Sequence, residues 1–315
     1  MEAKLLIIYA ILFATVAAYD NKALQKSLLI DRSKAIPVHE IPGFWIGRKI
    51  QPVKSFRHKF DRDERIIGGV EAKPGQIPHQ VGLFIAILWW IGHCSGSVLN
   101  ERLIITSAHC FESAESAQVV LGTHNIWNFE EPSEVRRVVY EDNFRIHPQY
   151  DPAWLYNDLV ILIMNEIVPF NEFIQPVTLP DYKLLREDFA GEIATLSGWG
   201  RTSDDHHLLS NVLLYTHNEI KDNKVCYGYY GPFVIGSTMC FNTANTGSGT
   251  CNGDSGSPVT VVRYGKTYLA GVLSFGPLAG CELGMPTGAA RVTYFMPWIC
   301  KVGLQYGLDK ANCIF

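Results

Sequence analysis

The stretch Gly253-Asp254-Ser255-Gly256-Ser257-Pro258 sets a serine among small residues, with a carboxylate directly before it. Small neighbours leave the hydroxyl uncovered and let the backbone bend around it. An attacking serine needs both an open approach and N–H groups aimed at the oxyanion that forms. The same composition suits a plain turn between two strands, since Gly, Asp, Ser and Pro are the usual turn formers. Two other stretches bear on the choice. In Thr106-Ser107-Ala108-His109-Cys110 an apolar run ends in a histidine held beside a cysteine, although one of ten histidines means little alone. Asp158 stands immediately before the apolar run Leu159-Val160-Ile161-Leu162. A carboxylate there is costly unless something hydrogen-bonds it, and a local turn in which Asp158 caps its own backbone is the alternative.

The elements that must position these residues read as strands. Short apolar runs recur at 81–91, 97–106, 119–121, 135–140 and 159–164, then at 193–196, 212–217, 257–262, 268–275 and 289–293. Turn formers such as Gly92-His93, Asn100-Glu101 and His147-Pro148 separate them. Many short strands without alternating helices predict an all-β sandwich or barrel. Roughly a dozen strands are too many for one small barrel, so two are expected. Residues 176–191, with Pro, Asp, Lys and Glu, are the expected link between them. The stretch from Tyr294 reads as a short helix with Trp298 facing inward, and no fixed-period repeat is visible.

Composition narrows the classes. The 315 residues are 18% charged and 47% apolar, with a formal net charge of −4 and no basic run long enough to predict nucleic-acid binding. Lys4 is followed by an apolar run over residues 5–18 and the small residues Val16-Ala17-Ala18. That run falls short of the ~20 residues a spanning helix needs, so residues 1–18 read as a cleaved secretory signal rather than an anchor. Eight cysteines in a secreted chain predict disulfides. There is neither a Cys-x-x-Cys pair nor a His-Glu-x-x-His motif, and neither metal nor cofactor is predicted. Residues 19–65 carry eleven Lys and Arg against six Asp and Glu, a net of +5, whereas 66–315 carry fifteen against twenty-four, a net of −9. A basic leader on an acidic body reads as a removable piece held partly by charge.

Taken together, the His, Asp and Ser signals follow the chymotrypsin chain order and not the subtilisin or α/β-hydrolase orders. From Ile66 to about Lys301 the chain resembles the chymotrypsin-like, trypsin-fold serine endopeptidases. The motifs Ile66-Ile67-Gly68-Gly69, Thr-Ser-Ala-His109-Cys, Asn-Asp158-Leu-Val-Ile-Leu, Ser197-Gly198-Trp199-Gly200, Gly-Asp-Ser255-Gly-Ser-Pro and Ser274-Phe275-Gly276 carry the resemblance. It implies two packed six-stranded antiparallel β-barrels with a short C-terminal helix. It also implies His109, Asp158 and Ser255 as a triad, with an oxyanion hole from the N–H groups of Gly253 and Ser255. Cleavage after Arg65 by a trypsin-like protease would free an ammonium on Ile66 to pair with Asp254. Residues 1–18, 19–65 and 66–315 are then signal, activation segment and peptidase domain. The implied disulfides are Cys94–Cys110, Cys226–Cys240 and Cys251–Cys281; Cys300 and Cys313 are left to pair across the tail, outside the common family set.

Specificity is implied by Gly249, Ser274, Phe275, Gly276 and Thr287. Trypsin-like members carry Asp where Gly249 stands, so this pocket lacks the charge that recognises Lys or Arg. Gly276 leaves its mouth open, and Thr287 supplies one hydroxyl on the far wall. Cleavage after Phe, Tyr, Leu or Met is expected, with an elastase-like or broad collagenolytic preference as the alternative; in this pocket the chain is most similar to arthropod chymotrypsin-like and collagenolytic enzymes. The expected partners are protein and peptide substrates, the activating protease and protein protease inhibitors. Neither membrane nor nucleic acid is expected, and the protein is expected to be a secreted, extracellular monomer. The loop 121–133 has Thr123 and Ser133 where trypsins place calcium ligands, so no calcium site is predicted. A catalytically dead scaffold is the rival function.

Overall fold

The structure, a computed structural model, describes residues 36–37, 69–87, 90–205, 208–241, 249–277 and 280–313. The signal at 1–18, nearly all of 19–65, and the pair Arg65–Ile66 lie outside the described residues.

Strands β1 (Ile36–Pro37), β2 (Val70–Glu71), β3 (Gln80–Ile87), β4 (Trp90–Asn100), β5 (Leu103–Thr106), β6 (Ser116–Leu121), β7 (Val135–Tyr140), β8 (Phe144–Ile146) and β9 (Val160–Ile163) come first. Apart from β2, which joins the second sheet, they form a sheet that runs β7-β6-β3-β4-β5-β9-β8, with β1 added on β4. Its two end strands are consecutive in the chain, separated only by a 3-10 turn at Glu141–Asn143. One bent strand thus pairs with β6 by its first half and with β9 by its second. The curl is completed by a covalent turn rather than a continuous ladder. The second sheet holds β10 (Ile193–Gly198), β11 (Leu214–Lys221), β12 (Thr238–Phe241), β13 (Pro258–Arg263), β14 (Lys266–Phe275) and β15 (Thr287–Arg291). These six close into a barrel in the order β10-β13-β14-β15-β12-β11, sealed by the β10–β11 ladder. Among the described residues the fold is all-β apart from two helices, α1 (Asn223–Tyr230) and α2 (Val292–Gly303), and short 3-10 turns.

Three expectations change in detail. The run 81–91 is not one strand but the two arms of a hairpin, with Ile87 opposite Trp90. Gly92-His93 lies inside β4 rather than in a turn. Trp298 is only partly buried on α2; Phe295, Met296 and Ile299 make the inward face. Helix α1 was not expected. Its mark in the sequence is Asp222, whose Oδ1 caps the helix by accepting the Lys224 N–H at 2.8 Å.

The packing explains why two strands show no alternation. In β5, Ile104 points into the first barrel's core, while Leu103 and Ile105 pack against α2. In β9, Val160 and Leu162 face the barrel, and Ile161 and Ile163 face α2. Both strands are buried on two faces, so β9 is apolar throughout and β5 is apolar up to its last residue, Thr106. They are antiparallel partners with Thr106 opposite Val160. The chain leaving β5 and the chain entering β9 therefore emerge at one end of the pair, and these are the segments that carry His109 and Asp158.

Candidate active site

His109 sits on a 3-10 turn (Ala108–Phe111) directly after β5 and is 5% exposed; Asp158, just before β9, is 1% exposed. Asp158 is saturated with donors. Its Oδ1 accepts the backbone N–H of His109 at 2.8 Å, and its Oδ2 lies 2.7 Å from His109 Nδ1. The Ser274 hydroxyl donates to the same Oδ2 at 2.6 Å. This is hydrogen bonding to another segment, not a cap on Asp158's own turn. Because Oδ2 accepts, Nδ1 carries its proton and Nε2 is the nitrogen left to take one. Burial pulls the His109 pKa down, but the charge of Asp158, its hydrogen bond and the charge of Glu112 outweigh burial and raise it above the ordinary imidazole value.

Ser255 is partly exposed, and its loop is tied to the histidine's strand. The Ser95 N–H donates to the Ser255 carbonyl at 2.7 Å, and the Gly256 N–H to the Leu273 carbonyl at 2.8 Å. The hydroxyls of Thr106 and Ser107 donate to the Ser95 carbonyl at 2.6 Å and the Leu273 carbonyl at 2.5 Å. Thus the residues just before His109 bond the same two segments that hold Ser255. Gly256 has φ +80°, and a Cβ there would lie 2.0 Å from Thr106 Oγ1 and 2.2 Å from the Ser95 carbonyl. Only glycine lets these segments approach so closely.

Asp254 is buried against Gly198 and Gly200 and is 2% exposed. Its carboxylate accepts the Gly200 N–H at 2.8 Å and the Cys251 N–H at 3.0 Å, and among the described residues it meets no cation. Burial pushes its carboxyl up to about 6, against the lowering effect of the two N–H bonds. A Cβ on Gly198 or Gly200 would come within 2.1 or 2.3 Å of its oxygens. The Ser197-Gly198-Trp199-Gly200 motif is therefore a glycine-lined wall around a buried acid.

The Trypsin family model matches residues 66–299. The chain belongs to the trypsin family. It is a serine endopeptidase, similar to Brachyurin of Leptuca pugilator at 37% identity over 234 residues, covering 74% of this chain and 96% of that protein. It is 38% identical over 244 residues to a Collagenase of Hypoderma lineatum, covering 76% and 87%. A solved structure of HL collagenase superposes with a TM-score of 0.67 at 36% identity, covering 76% of this chain and 98% of that one.

Within this trypsin-family frame, Gly249 is buried and brings no charge. A Cβ on Gly276 would meet nothing nearer than Thr287, whose Oγ1 and Cγ2 would lie 3.8 and 4.0 Å away. Gly276 and Thr287 thus face each other, as a pocket mouth and wall would. Phe275 packs against Tyr230 of α1, with ring centroids 5.3 Å apart. Ser274, grouped with the pocket by its place beside Phe275-Gly276, donates its hydroxyl to Asp158, the support for the buried acid that the family resemblance implies for it.

Disulfides join Cys94 to Cys110 beside His109, Cys226 of α1 to Cys240 of β12, Cys251 to Cys281 around the Ser255 loop, and Cys300 to Cys313 at the end of α2. Ala194 and Val261, where the family often has a further bridge, are buried in one apolar cluster. In the loop after β6, Glu131 accepts from Thr123 Oγ1 at 3.1 Å and from the N–H groups of His124 and Asn125 at 2.6 and 2.8 Å. That loop is stitched by its own carboxylate. The role of one residue, read from sequence only as part of a turn, escaped the sequence reading. His93 Nδ1 lies 3.2 Å from the Gly253 carbonyl. Burial takes His93 down to about 4, so the ring is neutral at pH 7 and donates to that carbonyl. Nothing in its spacing or motif context marks it.

Proposed function

We propose that the protein is a secreted endopeptidase made as an inactive precursor and switched on by cleavage after Arg65. Ser255 attacks the scissile carbonyl while His109 Nε2 takes its proton. The resulting oxyanion is held by the N–H groups of Gly253 and Ser255, an arrangement in which one donor is typically worth about 3 to 4 kcal/mol. His109 then protonates the leaving amine, and water hydrolyses the acyl-enzyme by the same route in reverse. Asp158 keeps His109 in the tautomer this needs. The Ile66 ammonium, created by the cut, pairs with Asp254 and sets the Gly253–Ser255 backbone; either charge buried alone would be costly. The observation that carries the reading is the buried His109–Asp158–Ser274 hydrogen-bond network, with a partly exposed Ser255 on a loop packed against Thr106 and Ser107. A dead scaffold would have no use for it.

The uncharged Gly249 floor and the Gly276–Thr287 opening favour apolar residues before the scissile bond. Extended substrate pairs its backbone with Phe275-Gly276 as an added strand. A second preference, for small and medium residues as in a broad collagenolytic enzyme, is favoured by the single Thr287 methyl and hydroxyl narrowing the far wall and by the relative named a collagenase. Substrates are proteins; the activator is a trypsin-like protease, and protein inhibitors would dock on the same groove. The enzyme acts as an extracellular monomer; among the described residues no helix is long and apolar enough to cross a membrane. A peptide library presented to the Arg65-cleaved enzyme tests this. Apolar residues before the cut are expected; dominant cleavage after Lys or Arg overturns the pocket assignment. Arg65→Gln should yield an inactive chain, and full activity in that variant overturns the activation step.

A further inference from the structure

Strand β4 has an open edge that leads to the nucleophile. In an antiparallel ladder, alternate residues turn their N–H and C=O to opposite sides. The Ser95 N–H bonds Ser255, not β3, so the odd-numbered residues of this part of β4 face away from β3. Strand β5 covers that side from Ser97 onward. The backbone groups of Ile91 and His93 therefore lie along an edge that ends at the carbonyl of Ser255.

Strand β1, from the basic segment 19–65, lies antiparallel on this edge, with Ile36 opposite Ile91 and Pro37 opposite Trp90. The register suits the residue types. Ile36 has an N–H and stands opposite a residue whose backbone groups point outward. Pro37 has none and stands opposite Trp90, whose backbone groups turn back to Ile87. Proline is tolerated at such a position of an edge strand. The direction is informative as well. Since β4 runs toward Ser95, β1 runs away from the Ser255 side. A peptide laid on this edge with its residues after the scissile bond must run the same way.

We propose that the freed activation segment stays docked by strand addition on the outer edge of β4 at Ile91–His93, along which the leaving-group side of an extended substrate also runs. The inference rests on the reading of residues 19–65 as an activation segment and Ser255 as nucleophile. Backbone pairing of this kind needs little side-chain specificity. Residues 19–65 contain no cysteine, so nothing covalent retains them after the cut. Strand β1, aided by a net +5 facing a body of −9, keeps the freed segment in place and makes it a competitor for long substrates.

The test uses a labelled synthetic peptide of residues 31–42 and a copy N-methylated at Ile36. Both are titrated into the full chain after cleavage at Arg65 and desalting, with anisotropy as the readout, which needs no turnover. Saturable binding weakened at least tenfold by the methyl group is expected. The unmodified peptide should also inhibit hydrolysis of a quenched peptide extending several residues beyond the scissile bond, and leave unchanged an anilide with nothing beyond it. Anilide turnover reports on the peptidase reading separately. No binding, equal binding of the methylated peptide, or equal inhibition of both substrates overturns the proposal.

Discussion

Asp158 accepts three hydrogen bonds with two oxygens, and each has a separate effect: the His109 backbone bond sets the turn, the Nδ1 bond sets the tautomer, and Ser274 holds the carboxylate rotamer. Asp158→Asn would place an amide among donors and push His109 into the wrong tautomer. We expect kcat to fall about 10⁴-fold, as for this substitution in a comparable triad. The His109 pKa, no longer raised by a carboxylate, should drop, so the acid limb of the remaining kcat/KM profile moves to lower pH. A limb that stays in place would show that Asp158 does not govern the imidazole. On the proposed pocket assignment, specificity turns on a single absent side chain. Gly249→Asp would set a carboxylate on the pocket floor, where only a cationic substrate side chain can pair with it. Apolar cleavage should weaken at least tenfold and cleavage after Lys or Arg should appear in the peptide profile; an unchanged profile would remove Gly249 from the pocket.

Among the elements, the Ser197–Gly200 stretch illustrates how close packing is converted into placement of a charge. Gly200→Ala would push a methyl to within 2.3 Å of Asp254 Oδ2. Overpacking of this kind costs about 1 to 3 kcal/mol. Because the displaced group is the carboxylate next to Ser255, activity after Arg65 cleavage should fall far more than the melting temperature does. Wild-type activity with an unshifted melt would mean the wall is slack. The same stretch shows what the sequence makes legible. Motifs such as this one, Thr106–Cys110 and Gly253–Pro258 are short, locally constrained and recognisable, because each residue is there to let two segments touch. The strands β5 and β9 were legible as buried apolar runs, though not as two-faced, since only the three-dimensional partner α2 explains the missing alternation. Helix α1 was lost because eight residues, three of them Tyr, with one buried position, leave almost no period. His93 was lost because its role depends on a contact 160 residues away, with no local signature.

At the scale of the whole molecule, activation should be visible in the pH dependence of stability. In the uncut chain Asp254 is buried without a cation among the described residues, and its pKa rises from an ordinary 3.8 to about 6. Between those values the native state keeps a proton that the unfolded state has released, so stability falls as pH rises through the window. Above about pH 6 the full cost is present, on the order of 3 kcal/mol for a shift of about two units. In the proposed activation step, cleavage would place the Ile66 ammonium beside the carboxylate, lower this pKa and remove the cost at neutral pH. Other acids titrate alike in cut and uncut protein, so the difference between the two isolates Asp254. Melting temperatures of the Arg65→Gln chain and of cleaved wild type should lie closest near pH 4 to 4.5. By pH 7.5 they should separate by an additional ~5 to 10 °C, the cleaved form being higher, given about 2 to 4 °C per kcal/mol for a domain of this size. A gap that stays constant across this range would mean that the new amino terminus pairs elsewhere, and that the buried acid beside Ser255 is not what couples the cut to the active site.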